Sequence, residues 1–142
     1  MSKIPTVYLC GPIAACNDSE AKDWRNYVKN KGLFICLDPI RRDYRNFDEA
    51  IGNNVMTWQI AKEIVEYDKI DIMQSDVVLA NLNPKKSSVG THQEIIYAWE
   101  RGKLVVLVAP KNHIISPWLM YHSQQICYSL DDAIDYIVKI FK

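Results

Sequence analysis

Residues 77–109 read VVLANLNPKKSSVGTHQEIIYAWERGKLVVLVA. Two apolar runs, Val77–Leu82 (broken only by Asn81) and Leu104–Ala109, enclose a polar loop, Asn83–Ser88, and a segment from about Gly90 to Arg101 that stops at Gly102. A strand that is apolar at every position is buried on both faces, as in a parallel sheet covered by helices. The segment is therefore predicted as strand, helix, strand, joined by a right-handed crossover.

The same pattern extends in both directions. Upstream, Thr6–Cys10 (TVYLC) and Leu33–Leu37 (LFICL) are further strands, closed by Gly11-Pro12 and Asp38-Pro39. Between them Asn17 and Glu20 have capping-box spacing. Ala21, Trp24 and Val28 form an apolar stripe, and Gly32 is a helix stop. Ile40–Asn54 is rich in charge and asparagine and reads as loop, followed by a helix from about Val55 to Met73. Downstream, Ile126–Tyr128 reads as a fifth strand, and Ser129 caps a last helix of about Leu130–Phe141. The expectation is one α/β domain over residues 1–142. It is a doubly wound parallel sheet of about five strands with helices on both faces. Ligands of such sheets bind beyond the carboxyl ends of the strands. That nominates the loops Gly11–Cys16, Pro39–Arg45 and Asn83–Gly90.

Composition narrows the function. The chain has 17 basic and 17 acidic residues, whereas a general nucleic-acid binder carries a basic excess. No nucleic-acid partner is expected. Cys10, Cys16, Cys36 and Cys127 show no CxxC spacing, and His92, His113 and His122 form no ligand pair with them. Neither a metal nor a cofactor is expected. Cys10 and Cys36 lie in apolar runs and read as buried free thiols. The sequence shows no signal peptide and no bilayer-length apolar stretch. The protein reads as cytoplasmic, with no membrane partner.

The richest constellation is Ser87-Ser88-Val89-Gly90-Thr91-His92-Gln93-Glu94. Free backbone N–H groups at a helix start can receive an anion or a hydroxyl-rich sugar. Glu94, one turn inside, can reach the crevice. Ser and Thr also cap helices with no further role, and acids favour first turns. The second signal is Asp68-Lys69-Ile70-Asp71. Ile64, Asp68, Asp71 and Ser75 share one helical face. A solvated last turn is the plain alternative. Asp76 reads as a turn or cap residue. Two carboxylates from different elements, meeting across a crevice, commonly split glycosidic bonds.

Three stretches together resemble the nucleoside 2-deoxyribosyltransferase family. They are Val7-Tyr8-Leu9-Cys10-Gly11-Pro12-Ile13, Asp68-x-x-Asp71-Ile72-x-x-Ser75-Asp76-Val77-Val78, and Gly90-Thr91-x-x-Glu94 with Tyr97-Ala98. Arg41-Arg42-Asp43-Tyr44-Arg45 resembles a subset of its short members. The resemblance implies a flavodoxin-like sheet and a homo-oligomer with a dimer as its unit, often a hexamer. It implies deoxynucleosides and free nucleobases as partners. By position, Glu94 matches the family's nucleophile and Asp68 the residue handling the proton of the departing base. Tyr8 matches a tyrosine that orients the glutamate. Gly11, Gly90 and Ser88 fall at substrate-binding positions. Many transferases have an aspartate where Ser88 stands, gripping the sugar 5'-hydroxyl. Related 5'-monophosphate N-glycosidases have a serine there. Ser116 and Trp118 match, loosely, a segment lent to the neighbouring subunit's site.

Asp43 lies on the crevice side of the second strand, where it could accept from a base amino group. Trp24, Trp58 and Tyr44 could stack on a base, although core packing is the favoured reading for both tryptophans. His92 reads as a surface histidine, and Met56 and Met73 as gap fillers. Base exchange between deoxynucleosides is the leading expectation. Hydrolysis of a deoxynucleoside 5'-monophosphate is the closest alternative, with a non-catalytic nucleotide-binding module behind it.

Overall fold

The computed structural model describes residues 3–13, 16–42, 58–82, 86 and 88–142. In chain order the elements are β1 (Thr6–Cys10), α1 (Asp18–Asn30), β2 (Ile35–Leu37), a 3-10 turn (Pro39–Arg42), α2 (Trp58–Gln74), β3 (Val77–Asn81), α3 (Val89–Glu100), β4 (Leu104–Val108), α4 (Pro117–Tyr121), β5 (Gln125–Cys127) and α5 (Leu130–Ile140). The strands form one parallel sheet in the order β2-β1-β3-β4-β5. That is the flavodoxin-like order, and its crossovers diverge between β1 and β3.

Alternation along each strand divides the core in two. Val7, Leu9, Val77, Leu79, Val106 and Val108 face one layer, packed with Val28 of α1 and Ala133, Ile134 and Ile137 of α5. Tyr8, Cys10, Val78, Ala80, Val105 and Leu107 face the other, packed with Ile72 of α2, Ile95 and Ala98 of α3 and Leu119 of α4. Each fully buried Val, Leu or Ile contributes roughly 1.5–3 kcal/mol of apolar burial. Two such layers explain why the interior strands β1, β3 and β4 are apolar along nearly their whole length.

Local signals act as their chemistry requires. The Asn17 side chain accepts from Glu20 N–H, while the Glu20 carboxylate accepts from Asn17 N–H. Gly32, at φ 67°, takes the left-handed conformation that ends α1. Ser88 and Ser129 cap α3 and α5. The Asp76 carboxylate accepts from Thr6 N–H at 2.9 Å and from Lys3 Nζ at 2.7 Å, tying the start of β1 to β3.

Four local expectations need correction. β2 begins at Ile35, not Leu33, because this edge strand pairs only with β1 and Leu33 is exposed. β5 runs one residue earlier than expected, since its register on β4 pairs Val106 with Gln125. Pro39–Arg42 winds into a 3-10 turn, with Asp38 Oδ1 accepting from Ile40 N–H. α4 was absent from the sequence reading, although Ser116-Pro117 is a helix start: Ser116 caps it and Pro117 occupies its first turn.

Candidate active site

The carboxyl ends of β1 and β3 meet at the point where the crossovers diverge. Leu9 pairs with Leu79 and Cys10 with Ala80 there. The even residues of β1, Tyr8 and Cys10, turn toward α2 and α3. Glu94 comes down from the second turn of α3 onto this strand. Its Oε2 accepts from the Tyr8 hydroxyl, and Oε1 lies 3.9 Å from the Cys10 thiol. Asp68, from α2, lies near enough for its charge to act on Glu94, Tyr8 and Cys10.

The charge of Asp68 acts on Glu94. Burial first, and then Asp68, raise the pKa of Glu94 to about 8, against the opposing effects of the Tyr8 hydroxyl, the Arg25 charge and the Cys10 thiol. Tyr8 is pushed well above the usual phenol range by burial and then by Glu94. It stays a neutral donor. Burial and Glu94 likewise hold Cys10 as a thiol. One carboxylate desolvated beside a second is a common arrangement where a nucleophile and a proton donor are needed together.

Arg25 of α1 lies on the opposite side of the sheet and is wholly buried. Its Nη2 donates to Gly11 O at 3.0 Å, Nε to Leu9 O at 3.4 Å and Nη1 to Ala21 O at 2.5 Å. Nε also lies 3.6 Å from Asp38 Oδ1. One guanidinium thus fastens the ends of β1 and β2 to α1. A buried cation is tolerable when it is paired and its N–H groups are satisfied. Sequence reasoning missed Arg25. The available signal was its place four residues after Ala21 and three before Val28, on the apolar stripe of α1.

Gly11 follows at the crevice floor. A methyl there would stand 3.0 Å from Asn81 O and 3.1 Å from Trp24 Cζ2, so the position admits no side chain without displacement. Beside it opens a pocket of about 210 Å³ lined by Pro12, Lys86, Ser88, Thr91, Ile114 and Ser116, among others. Its inner wall is the N-terminal turn of α3. Ser88 Oγ accepts from Thr91 N–H at 3.3 Å. Thr91 Oγ1 is buried without a hydrogen-bond partner among the described residues.

A profile of the family described as nucleoside 2-deoxyribosyltransferase matches residues 7–132. The chain belongs to this family. No curated protein sequence matches it. Among solved structures, a 2-deoxyribosyltransferase of Bacillus psychrosaccharolyticus is 16% identical, with a TM-score of 0.72 over 92% of this chain and 91% of that one. A conserved protein of Enterococcus faecalis V583 is 14% identical, with a TM-score of 0.74 over 96% and 99%. A CMP N-glycosidase of Clostridium botulinum is 19% identical, with a TM-score of 0.54 over 93% and 97%. These likenesses establish the shared α/β fold. The family is one of enzymes acting by glycosyl transfer.

Within this deoxyribosyltransferase-family fold, the residues singled out in the sequence fall into groups. Tyr8, Asp68 and Glu94 converge. Ser88 and Ser116 line the adjoining pocket, and Gly90 lies in the first turn of α3. Trp118 does not line it: the indole stacks on His122 with ring centroids 6.0 Å apart and is 69% exposed. Asp43, Tyr44 and Arg45 lie outside the described residues, as does Met56. Asp71 is buried on the inner face of α2 beside Ile72, while Met73 and Gln74 of the same last turn are exposed, so only one side of that turn is solvated. Trp24 packs against the first core layer, as favoured. Trp58 does not: it is 84% exposed at the start of α2. Met73 is also largely exposed instead of filling a gap. His92 lines the pocket. Among the described residues no group of three or more metal-binding side chains occurs, and no helix is long and apolar enough to cross a membrane.

Proposed function

We propose that the protein exchanges the base of 2'-deoxyribonucleosides through a covalent deoxyribosyl ester on Glu94. The observation that carries this reading is the buried Glu94 carboxylate, held by Tyr8 on one oxygen at the sheet's switch point and within reach of the charge of a second carboxylate, Asp68. Loss of the base leaves positive charge on the anomeric carbon. Glu94 below the ring stabilises that charge and closes onto the carbon, forming a C–O bond as the C–N bond breaks. Asp68 delivers a proton to the departing base. A second base then attacks from the face the first one left, the ester C–O bond breaks to free the Glu94 carboxylate, and Asp68 recovers a proton from the incoming base. Two inversions give net retention. A 2'-hydroxyl would withdraw electrons from the cation, so deoxyribose reacts more readily.

The raised pKa of Glu94 fits this cycle. Substrate binding brings developing positive charge to the carboxylate, and ionisation is then favoured where it is needed. The Ser88–Ser116 pocket receives the 5' end of the sugar, with Thr91 Oγ1 available as a buried hydroxyl. A second reading, hydrolysis of deoxynucleoside 5'-monophosphates, draws on Ser88, Lys86 and the α3 N-terminus at one wall of the pocket. We further propose that the protein acts in the cytoplasm as a homo-oligomer built on a dimer, and that it serves nucleoside salvage.

The test is chromatography of deoxyinosine incubated with the enzyme, with and without adenine. Deoxyadenosine formed only when adenine is present supports transfer. Hypoxanthine and free deoxyribose formed equally in both indicate hydrolysis. Unchanged deoxyinosine in both rejects the reading.

A further inference from the structure

We propose that Cys10 is a positioning residue for Glu94, its thiol holding Oε1 while the Tyr8 hydroxyl holds Oε2. This deepens the assignment of Glu94 as nucleophile and rests on it. The geometry follows from strand periodicity. Tyr8 and Cys10 are two residues apart on β1 and share one face. They reach the two oxygens of one carboxylate brought in by α3. Two donors on one rigid central strand fix the plane of the carboxylate, where a single hydroxyl would leave it free to swivel.

Cys10 has a second acceptor, Thr91 O, at 3.8 Å. A thiol has one hydrogen and serves one acceptor at a time. An ionised carboxylate attracts it more strongly than a neutral carbonyl does. The thiol therefore turns to Glu94 when Glu94 is charged and back to Thr91 O when Glu94 is protonated or esterified. It releases Oε1 as the sugar bond forms and restores the grip after release. The charged and titratable groups that act on Glu94 are Tyr8 and Cys10 from β1, Asp68 from α2 and, through the sheet from its far side, Arg25 from α1. Cys10 is the weakest donor of the set. It can hold the carboxylate without quenching its reactivity as a stronger donor would.

The experiment is Raman spectroscopy of the S–H stretch in the whole protein across a pH titration. The Cys10 band is assigned by difference against Cys10→Ser. It is expected to move to lower frequency as Glu94 ionises and to stay fixed in Glu94→Gln. A Cys10 band that ignores pH in the wild type, or moves equally in Glu94→Gln, overturns the proposal. Because the readout needs no turnover, an inactive enzyme would sink the transferase reading and leave this test standing. In the active enzyme, Cys10→Ala should lower kcat about twofold to tenfold and move the kcat/KM limb to higher pH, with Cys10→Ser recovering part of both. Equal behaviour of the Ala and Ser variants also overturns it.

Discussion

The Tyr8 hydroxyl donates to Oε2 of Glu94 across a sequence separation of 86 residues. This bond favours the ionised carboxylate, against the burial that disfavours it. Tyr8→Phe removes it without changing the shape of the core. A hydrogen bond to a charged group is worth about 1.5–3 kcal/mol. The expected result is a loss of about tenfold to a hundredfold in kcat/KM at neutral pH. The ascending limb of the pH–rate profile should also move to higher pH. A limb that stays in place in a folded Tyr8→Phe protein would show that the phenol does not act on the carboxylate.

Glu94 also links stability to pH. Its folded pKa, about 8, lies above the ordinary carboxylate value of 4.5. Between those two values the folded state binds more protons than the unfolded one, so stability falls as pH rises. The contribution is full below 4.5, declines up to about 8 and is level beyond. Glu94→Gln removes the ionisation. Its Tm should exceed the wild type's more at pH 9 than at pH 5, read by calorimetry at both. Turnover should be abolished in Glu94→Ala. A 2-fluoro-2-deoxy nucleoside should label the peptide holding Glu94 in the wild type; a label elsewhere moves the nucleophile.

Asp68→Asn makes two separable changes. The amide cannot donate a proton as a carboxylic acid does, and general acid catalysis is worth about 10²–10⁴-fold. Nucleosides with activated leaving groups should therefore lose less rate than ordinary purine nucleosides. The substitution also removes a negative charge that raises the pKa of Glu94. The limb assigned to Glu94 should move to lower pH. Equal losses across leaving groups, with the limb displaced, would leave Asp68 an electrostatic role and no proton to give.

On the proposed reading, Ser88 meets the 5' end of the substrate. Its hydroxyl both donates and accepts, and it lines the pocket beside Lys86 and Ser116. Ser88→Asp would place an anion near any 5'-phosphate, costing on the order of 1 kcal/mol in water and more in a crevice. Activity on deoxyadenosine should be kept or raised, while activity on its monophosphate is lost. The ratio of the two kcat/KM values measures this. An unchanged ratio means that Ser88 does not face the 5' group.

Ile114, Trp118, Met120 and Tyr121 are more than half exposed in one segment beside the pocket. Light scattering coupled to gel filtration should find at least a dimer, and Trp118→Ala together with Tyr121→Ala should weaken it. A wild-type protein that remains monomeric at every concentration would leave Trp118 as a surface residue of a single chain.

Legibility in the sequence followed the range of each interaction. Val77–Asn81 and Leu104–Val108 were readable because burial on both faces leaves Asn81, at the carboxyl end of its strand, as their single polar position. Asn17 with Glu20, Gly32 and Ser129 were readable because caps are local. Edge strands were read less well, since β2 and β5 keep only three residues each and their limits come from a neighbour's register. Glu94 and Asp68 were picked out by motif, but nothing local shows that Tyr8 would reach one and feel the other. Arg25 was passed over because an arginine in a helix ordinarily points to water. Its partners, Leu9 O and Gly11 O, are backbone atoms that no side-chain pattern reveals. Trp58 misled by the opposite route, a large aromatic left at the surface.

The crowding around Gly11 bears on how this enzyme can be redesigned. With Asn81 O and Trp24 standing where a β-carbon on Gly11 would go, this part of the crevice floor leaves little latitude for a new side chain. Altered substrate range must come from the rim. Ser88, Val89, Ile114 and Ser116 stand on helix starts and connecting chain instead of on the sheet. A mutant library that randomises those four positions and spares Tyr8 through Gly11 should yield more active variants per clone than one spread evenly over the crevice.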